Sequence, residues 1–542
     1  MGAPPPLTKI TAGPGRADLA TYYNAGLRRL ISVTEKGFAG VPAIFCGLLP
    51  VVWVPGAVDL FILPRAALVV GFGVLLLGLA VAVDGPALPS LRGLRLPLLA
   101  VAGAAVLAAV FSINPWLSVA GAYTRYESVL VRLAYLGLFV GAAALTRGRS
   151  SRELTLRLFL AGCAVAGLEA LWQGVRHELA RPDGNLGQPG LLGALLAMAV
   201  PVALHVGLKD WKWLLAVVPI GGGLVVSASR AGWLAALAGG LTFLVLIAPE
   251  RWRRRLLLAG GVAVVAALLV ILASPLRNLN QDTGLARVGV WSDSLHMIAA
   301  RPVTGWGEDA TGLMFGHFQT KDWEPGDTFD RIHDQPLDLL VAQGVLGAVA
   351  MAWLLVAFGR GVLFRGWAGP VAACVAYLAW SLLNFDWAPA TGAVYALAGV
   401  AWSSAGGSPT PAPPRWGGGL LVALLGLSVG VGLAVPPVIA DVAYHSGDAA
   451  RAVRLDPLQA RYHQALGEQL GLYSPPALAE LRRARQLGDY DYSFLVELGD
   501  AERKDGHVEE ARRAYQAAID VYPYDPTAGQ RLKDLGYSSS SS

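Results

Sequence analysis

Residues 212–248 read KWLLAVVPIGGGLVVSASRAGWLAALAGGLTFLVLIA, two apolar runs separated by Ser227, Ala228, Ser229 and Arg230. A membrane-spanning helix needs roughly 20 largely apolar residues, and the two runs, 212–228 and 231–248, read as neighbouring spans. Arg230 therefore stands at a helix end, where a fixed charge is tolerated at the interface or beside a partner.

Working outward from this pair, the same pattern recurs along most of the chain. Candidate spans are 38–56, 65–84, 96–114, 129–146, 155–173, 190–207, 212–228, 231–248, 256–273, 337–358, 367–383, 388–403 and 418–440. Composition agrees: of 542 residues 54% are apolar and only 15% charged, with mean hydropathy +0.50. Soluble domains carry roughly 25% charged residues. The expected fold is all-α: a polytopic membrane protein of about 12–13 transmembrane helices.

The net charge of +5 does not point to nucleic acid, because the basic residues gather in short loops. Arg92 and Arg95, Arg147 to Arg152, Lys209, Arg251 to Arg255 and Arg360 to Arg365 alternate with loops poorer in Lys and Arg. By the positive-inside rule these loops are cytoplasmic, as is the N-terminal segment 1–37. The connection at 274–336 then lies outside; it has five Lys/Arg against nine Asp/Glu. Cys46, Cys163 and Cys374 all fall inside apolar spans and suggest neither disulfides nor a metal site.

After residue 440 the composition changes. Leu498-Gly499, Ala511, Tyr515, Ala518 and Pro523 match the tetratricopeptide pattern, and Leu466-Gly467 with Ala479 begins a weaker repeat. The expected organisation is a transmembrane domain at 38–440, an extracytoplasmic helical-repeat domain at 441–537 and a serine tail at 538–542.

Polar residues beside the outer ends of the spans form the candidate site. They are Arg125 in GAYTRYES, Asn185 in DGNLGQPG, Ser229 and Arg230, Arg287 in LARVGVW, Arg301 in RPVTGWGED, His333 and Asp334 in DRIHDQPLDLL, and Asp386 in NFDW. Taken singly, each also fits an ordinary role: Arg230 a snorkelling cation, Arg125 a partner of Glu127, Trp306 an interfacial aromatic, and His333 a loop histidine. Glu308, Asp309, Asp322, Glu324 and Asp327 fit either an acceptor groove or solvated loop surface. The signal is their shared membrane face and a loop too long for a simple connector.

The order of SASRAGWL, RVGVW, RPVTGWG and IHDQPLDLLVAQGVLG around a late outer loop resembles the O-antigen ligase and O-antigen polymerase superfamily, over residues 38 to about 403. The resemblance implies a GT-C-like membrane glycosyltransferase. Such an enzyme moves a glycan from an undecaprenyl-diphosphate carrier to an acceptor hydroxyl on lipid, glycan or protein, at the outer face of the bacterial cytoplasmic membrane. It also implies that Arg230 and Arg287 hold the diphosphate and that His333 is the general base, with no cofactor and no metal. Asp334 departs from the asparagine frequent at that place in the family; an aspartate there would orient the ring or raise its pKa. Arg125, Asn185, Ser229, Arg301 and Asp386 would be supporting residues.

The chemistry suits these residue types on its own terms. A diphosphate leaving group needs its developing charge compensated, which an arginine fork does bidentately, and a near-neutral imidazole suits a hydroxyl nucleophile. Direct displacement would invert the anomeric carbon. The competing readings are a polymerase, a transporter of the lipid-linked glycan, and a membrane-anchored scaffold built around the repeats as a partner-binding surface.

Overall fold

The computed structural model describes residues 38–273, 285–326, 328–406 and 416–536. The described residues form 22 α-helices, two short 3-10 turns and no strand. The bundle begins with α1 (Val41–Leu48), α2 (Ile62–Asp84), α3 (Arg95–Val110), α4 (Pro115–Ala120) and α5 (Val129–Leu145). It continues with α6 (Arg149–Val175), α7 (Pro189–Gly207), α8 (Val217–Val226), α9 (Arg230–Ile247) and α10 (Glu250–Ala273). The long connection carries α11 (Leu285–Ala300) and α12 (Thr311–Phe318). The bundle closes with α13 (Gln335–Val362), α14 (Ala368–Ser381), α15 (Ala388–Ser404) and α16 (Trp416–His445). Six shorter helices follow: α17 (Ala449–Leu455), α18 (Ala460–Gln469), α19 (Pro475–Gln486), α20 (Tyr492–Lys504), α21 (Val508–Val521) and α22 (Pro526–Asp534).

Among the described residues, six helices are long and apolar enough to cross a membrane: α2, α6, α7, α9, α13 and α16. The chain is a multi-pass membrane protein. The window 256–273 falls in α10, a helix of 24 residues, and the other apolar windows of the thirteen fold into helices of 8 to 17 residues. In 38–56, for example, the helix stops at Leu48, and the apolar residues that follow form turns. Hydropathy counts such flanking residues as readily as helical ones. Leu257, Leu258 and Val262 on α10 and Leu420, Leu421 and Leu424 on α16 stand exposed, as lipid-facing residues do. The three cysteines are buried free thiols.

Small residues set the helix spacing, as expected where no hydrophobic effect drives helices together. A Cβ on Gly137 of α5 would meet the Gly73 backbone of α2, and one on Gly232 of α9 the Gly193 backbone of α7. The register of α7, α9 and α14 follows from such contacts. Gly193 lies against Gly232, Pro201 against Gly239, Gly239 against Ala376, and Gly369 against His205. Thus α7 and α9 run parallel and α14 antiparallel to both, so Gln188, Arg230 and the 382–387 turn share one end of the bundle. At the other end Arg152 and Lys209 stack over Trp367, Arg253 stacks over Phe364, and Arg147 pairs with Asp84.

Helix α13 is broken at Gly344, whose φ is 63°. The break frees the carbonyls of Val341 and Ala342, which accept from the Trp306 and Gly307 amides at 2.8 and 3.0 Å. Irregular backbone at this depth needs such partners. A Cβ at Gly344 would overlap the Val303 carbonyl, and the left-handed φ adds its own cost. Gly344→Ala is expected to destabilise the protein by about 1–3 kcal/mol, read as a lowered thermal midpoint in detergent; an unchanged midpoint would show the break to be unnecessary.

The C-terminal helices pair antiparallel, α18 with α19 and α20 with α21, with Gly467 under Leu481 and Gly499 under Tyr515. They pack onto the long connection rather than standing apart. Gly316 of α12 abuts the backbone of Asp520 and Val521, Tyr522 donates to Asp322 at 2.9 Å, and Tyr490 reaches Asp330 at 3.5 Å.

Candidate active site

The serines flanking Ala228 build the turn that presents Arg230. Ser227 Oγ donates to the Leu224 carbonyl at 2.9 Å, and Ala228 takes a left-handed φ of 49°. Ser229 Oγ then accepts from the Gly232 amide at 3.2 Å, capping α9. Arg230 is consequently the first residue of α9, half-buried at a helix N-terminus. From the neighbouring loop Arg181 donates to the Ser227 and Ala228 carbonyls, each at 3.4 Å. Ser229→Ala is expected to cost about 0.5–2 kcal/mol of stability, measured by thermal unfolding, and an unchanged midpoint would remove the cap from the account.

The 382–387 turn collects the other residues. Arg287, in the first turn of α11, donates to the Leu383 carbonyl at 2.8 Å. The His333 ring lies edge-on to Phe385 at 5.2 Å, with its backbone held at a left-handed φ of 58°. Two residues on, Gln335 and Asp386 exchange hydrogen bonds of 2.8 and 2.6 Å. Asp334 caps α13 by accepting from Leu337 at 2.9 Å, a backbone role that the reading of it as a partner of the His333 ring did not include. Burial raises the Asp334 carboxyl against the lowering effect of that bond.

Several expectations change. Arg125 pairs with Asp330 at 2.5 Å, not with Glu127, and stacks over Phe385 and Trp387 at 5.3 and 4.7 Å. Glu308 and Asp309 are neither groove nor solvated surface: both are buried. Trp306 is a core residue, packed with Met297 and Phe315. Asn185, with φ 63°, gives its carbonyl to Arg65 at 2.9 Å. Arg301 is not brought to the cluster. It lies 14 residues beyond Arg287, about 21 Å along helical geometry, and contacts the Phe111 carbonyl and the Trp306 ring. Of the expected loop acids, Asp327 lies outside the described residues.

Sequence reasoning passed over the buried charges beneath this surface. Arg132 of α5 meets Asp386, Glu308 at 3.3 Å and Glu127 at 3.8 Å. Gln343 donates to Glu308 at 2.5 Å and Tyr377 to Asp386 at 2.5 Å. Alongside, Arg331 pairs with Asp309 and Asp338. The signal was present in VLVRLAYL: an arginine inside an apolar span requires buried partners.

Burial pushes the Glu127 carboxyl up to about 7, against the lowering effects of Arg132 and the Tyr135 hydroxyl. Its folded pKa thus exceeds its unfolded one. The stability it contributes is complete below about 4.5 and is lost as pH rises through about 7. Glu127→Gln is expected to flatten the pH dependence of the thermal midpoint between those values; an unaltered slope would contradict the assignment.

This end of the bundle also gathers the N-termini of α5, α7, α9, α13 and α15, each a partial positive charge. Arg230 and Arg287 lie at the same end, which therefore carries positive charge suited to an anion. The described residues contain no group of three or more His, Cys, Asp or Glu arranged to hold a metal ion. No curated protein matches the chain. Residues 215–352, which run from α8 through Arg230, Arg287 and His333 into α13, match the family described as O-antigen ligase.

Proposed function

We propose that the protein is a membrane glycosyltransferase of the O-antigen ligase kind, transferring a glycan from undecaprenyl diphosphate to an acceptor hydroxyl on lipid or protein. The observation that carries the reading is the convergence of Arg287, His333 and Asp386 on the 382–387 turn, at the same bundle end as Arg230, within a stretch matching that family. Arg230 and Arg287 hold the diphosphate and stabilise the charge that develops as the glycosyl bond breaks. His333 takes the acceptor proton, and the acceptor oxygen displaces the diphosphate with inversion. Asp386 and Gln335 fix the segment that carries His333. Arg125, through Asp330, ties that segment to the loop before α5 and supports Phe385.

The site end faces outward and the N-terminus lies in the cytoplasm. The basic cluster of Arg147, Arg152, Lys209 and Arg253 at the opposite end supports this orientation. Residues 441–537 are read as tetratricopeptide repeats that present an acceptor or a partner protein; the antiparallel helix pairs and their buried glycines support that reading.

The test is transfer by purified protein from an undecaprenyl-diphosphate glycan to candidate acceptors. His333→Ala is expected to slow transfer by about 100- to 10,000-fold. A near-normal rate would sink the base assignment. Products extended on the carrier lipid would favour a polymerase, and translocation without transfer would favour a transporter.

A further inference from the structure

Where the repeat domain meets the bundle, a cavity of about 330 Å³ is bordered by Asn114, Arg482 and Arg485 of α19, Glu502 of α20, and Glu510 and Arg513 of α21. Its charges are unevenly used. Arg482 is engaged, donating to both Glu502 oxygens at 2.7 and 2.6 Å. Arg485 Nη1 is buried without a hydrogen-bond partner. Burial, and next the charge of Arg513, hold the Arg485 guanidinium below its ordinary value; Asp520 and Glu502 offset this in part. Of the three guanidinium groups beside the cavity, Arg482 is paired and Arg485 has an unmet buried donor, so that Arg485 and Arg513 form an arrangement that an anionic ligand completes.

We infer that this cavity binds a sugar acid, a single hydroxylated ring bearing a carboxylate. The carboxylate meets Arg485 and Arg513, and the exposed Glu510 carboxylate in the same lining accepts from ring hydroxyls. Size and charge both favour this over an acidic peptide. The volume is at the lower end for small-ligand sites, room for one sugar ring rather than an extended chain, and Glu510 would repel a second acidic side chain. One chain segment links the cavity lining to the candidate active site. Gln486 at the end of α19 accepts from Asn114 at 3.1 Å, and Tyr490, four residues on, contacts the Asp330 that holds Arg125. The inference rests on these charges and stands whether or not the chain transfers glycans.

The experiment titrates the full chain in detergent with glucuronate, glucose, a Glu-Glu dipeptide and inorganic phosphate, by calorimetry or ligand-observed NMR. Glucuronate is expected to bind at least about tenfold more tightly than any of the other three, since glucose lacks the charge-assisted contact and phosphate and the dipeptide lack the ring hydroxyls that Glu510 accepts from. Salt should weaken it. Arg513→Gln, at an exposed position where folding is not at stake, should weaken it about tenfold, and Arg485→Gln at least as much. Equal binding of glucose, tighter binding of the dipeptide or phosphate, or unchanged affinity in both variants would each overturn the inference.

Discussion

Arg287→Ala is expected to lower the transfer rate at saturating donor by about 100- to 1,000-fold, the usual cost of removing one pre-placed donor to a developing oxyanion. The fold should be little affected. In the structure the side chain is half-buried and gives a bond of 2.8 Å to the Leu383 carbonyl, and such a bond contributes about 1 kcal/mol net. Arg230→Ala should behave alike, because Ser229 rather than Arg230 caps α9. The lysine variants sharpen the point. Lysine keeps the charge but loses the planar fork, so Arg230→Lys and Arg287→Lys should fall between wild type and alanine in rate while matching wild type in thermal midpoint. A rate unchanged by alanine, or one that falls only as far as the midpoint does, would remove the diphosphate role.

Arg132→Ala should act in the opposite way, on stability first. The guanidinium faces Glu127, Glu308 and Asp386 in a buried cluster, and its removal leaves three carboxylates without their cation. Breaking a buried ion pair by deleting one partner costs about 3–5 kcal/mol. The expected result is a thermal midpoint too low for purification at ordinary temperature, or a sharp fall where purification succeeds. A second substitution provides the control: Asp386→Asn in the Arg132→Ala background relieves part of the excess negative charge and should recover part of the loss. Failure of the double variant to exceed the single one would mean that the cluster holds by packing rather than by charge.

The helices were legible in the sequence because apolar periodicity and length are properties of contiguous residues. Their lengths were less so: 38–56 reads as one span, yet its helix ends at Leu48, since turns beside a bilayer are as apolar as the helices they join. Part of the site was legible for a different reason. Arg287, His333 and Asp386 fall beside helix ends, and a consistent topology places such residues at one end of the bundle. Their actual arrangement was not, because the 382–387 turn brings together residues 287, 333 and 386 by contacts far apart along the chain. Arg125 illustrates the limit. Glu127 was its nearest acid in sequence, but Asp330 is its partner in space, some 205 residues away. Arg132 and Gln343 went unread, and Glu308 was read as groove or loop surface, because their meaning depends wholly on one another.

The attachment of the C-terminal helical segment carries one more consequence. It is joined through α16, which lies along α2 with Gly430 against Gly71 and Gly426 against Gly78. It is also seated on the start of α4 through Asn114 and on the α11–α13 connection through Asp322 and Asp330. The covalent link between residues 406 and 416 is thus one of several restraints on its position. Residues 1–406 and 416–536, produced as two separate polypeptides in the same cell, should therefore find each other in the membrane and co-purify as a stoichiometric pair.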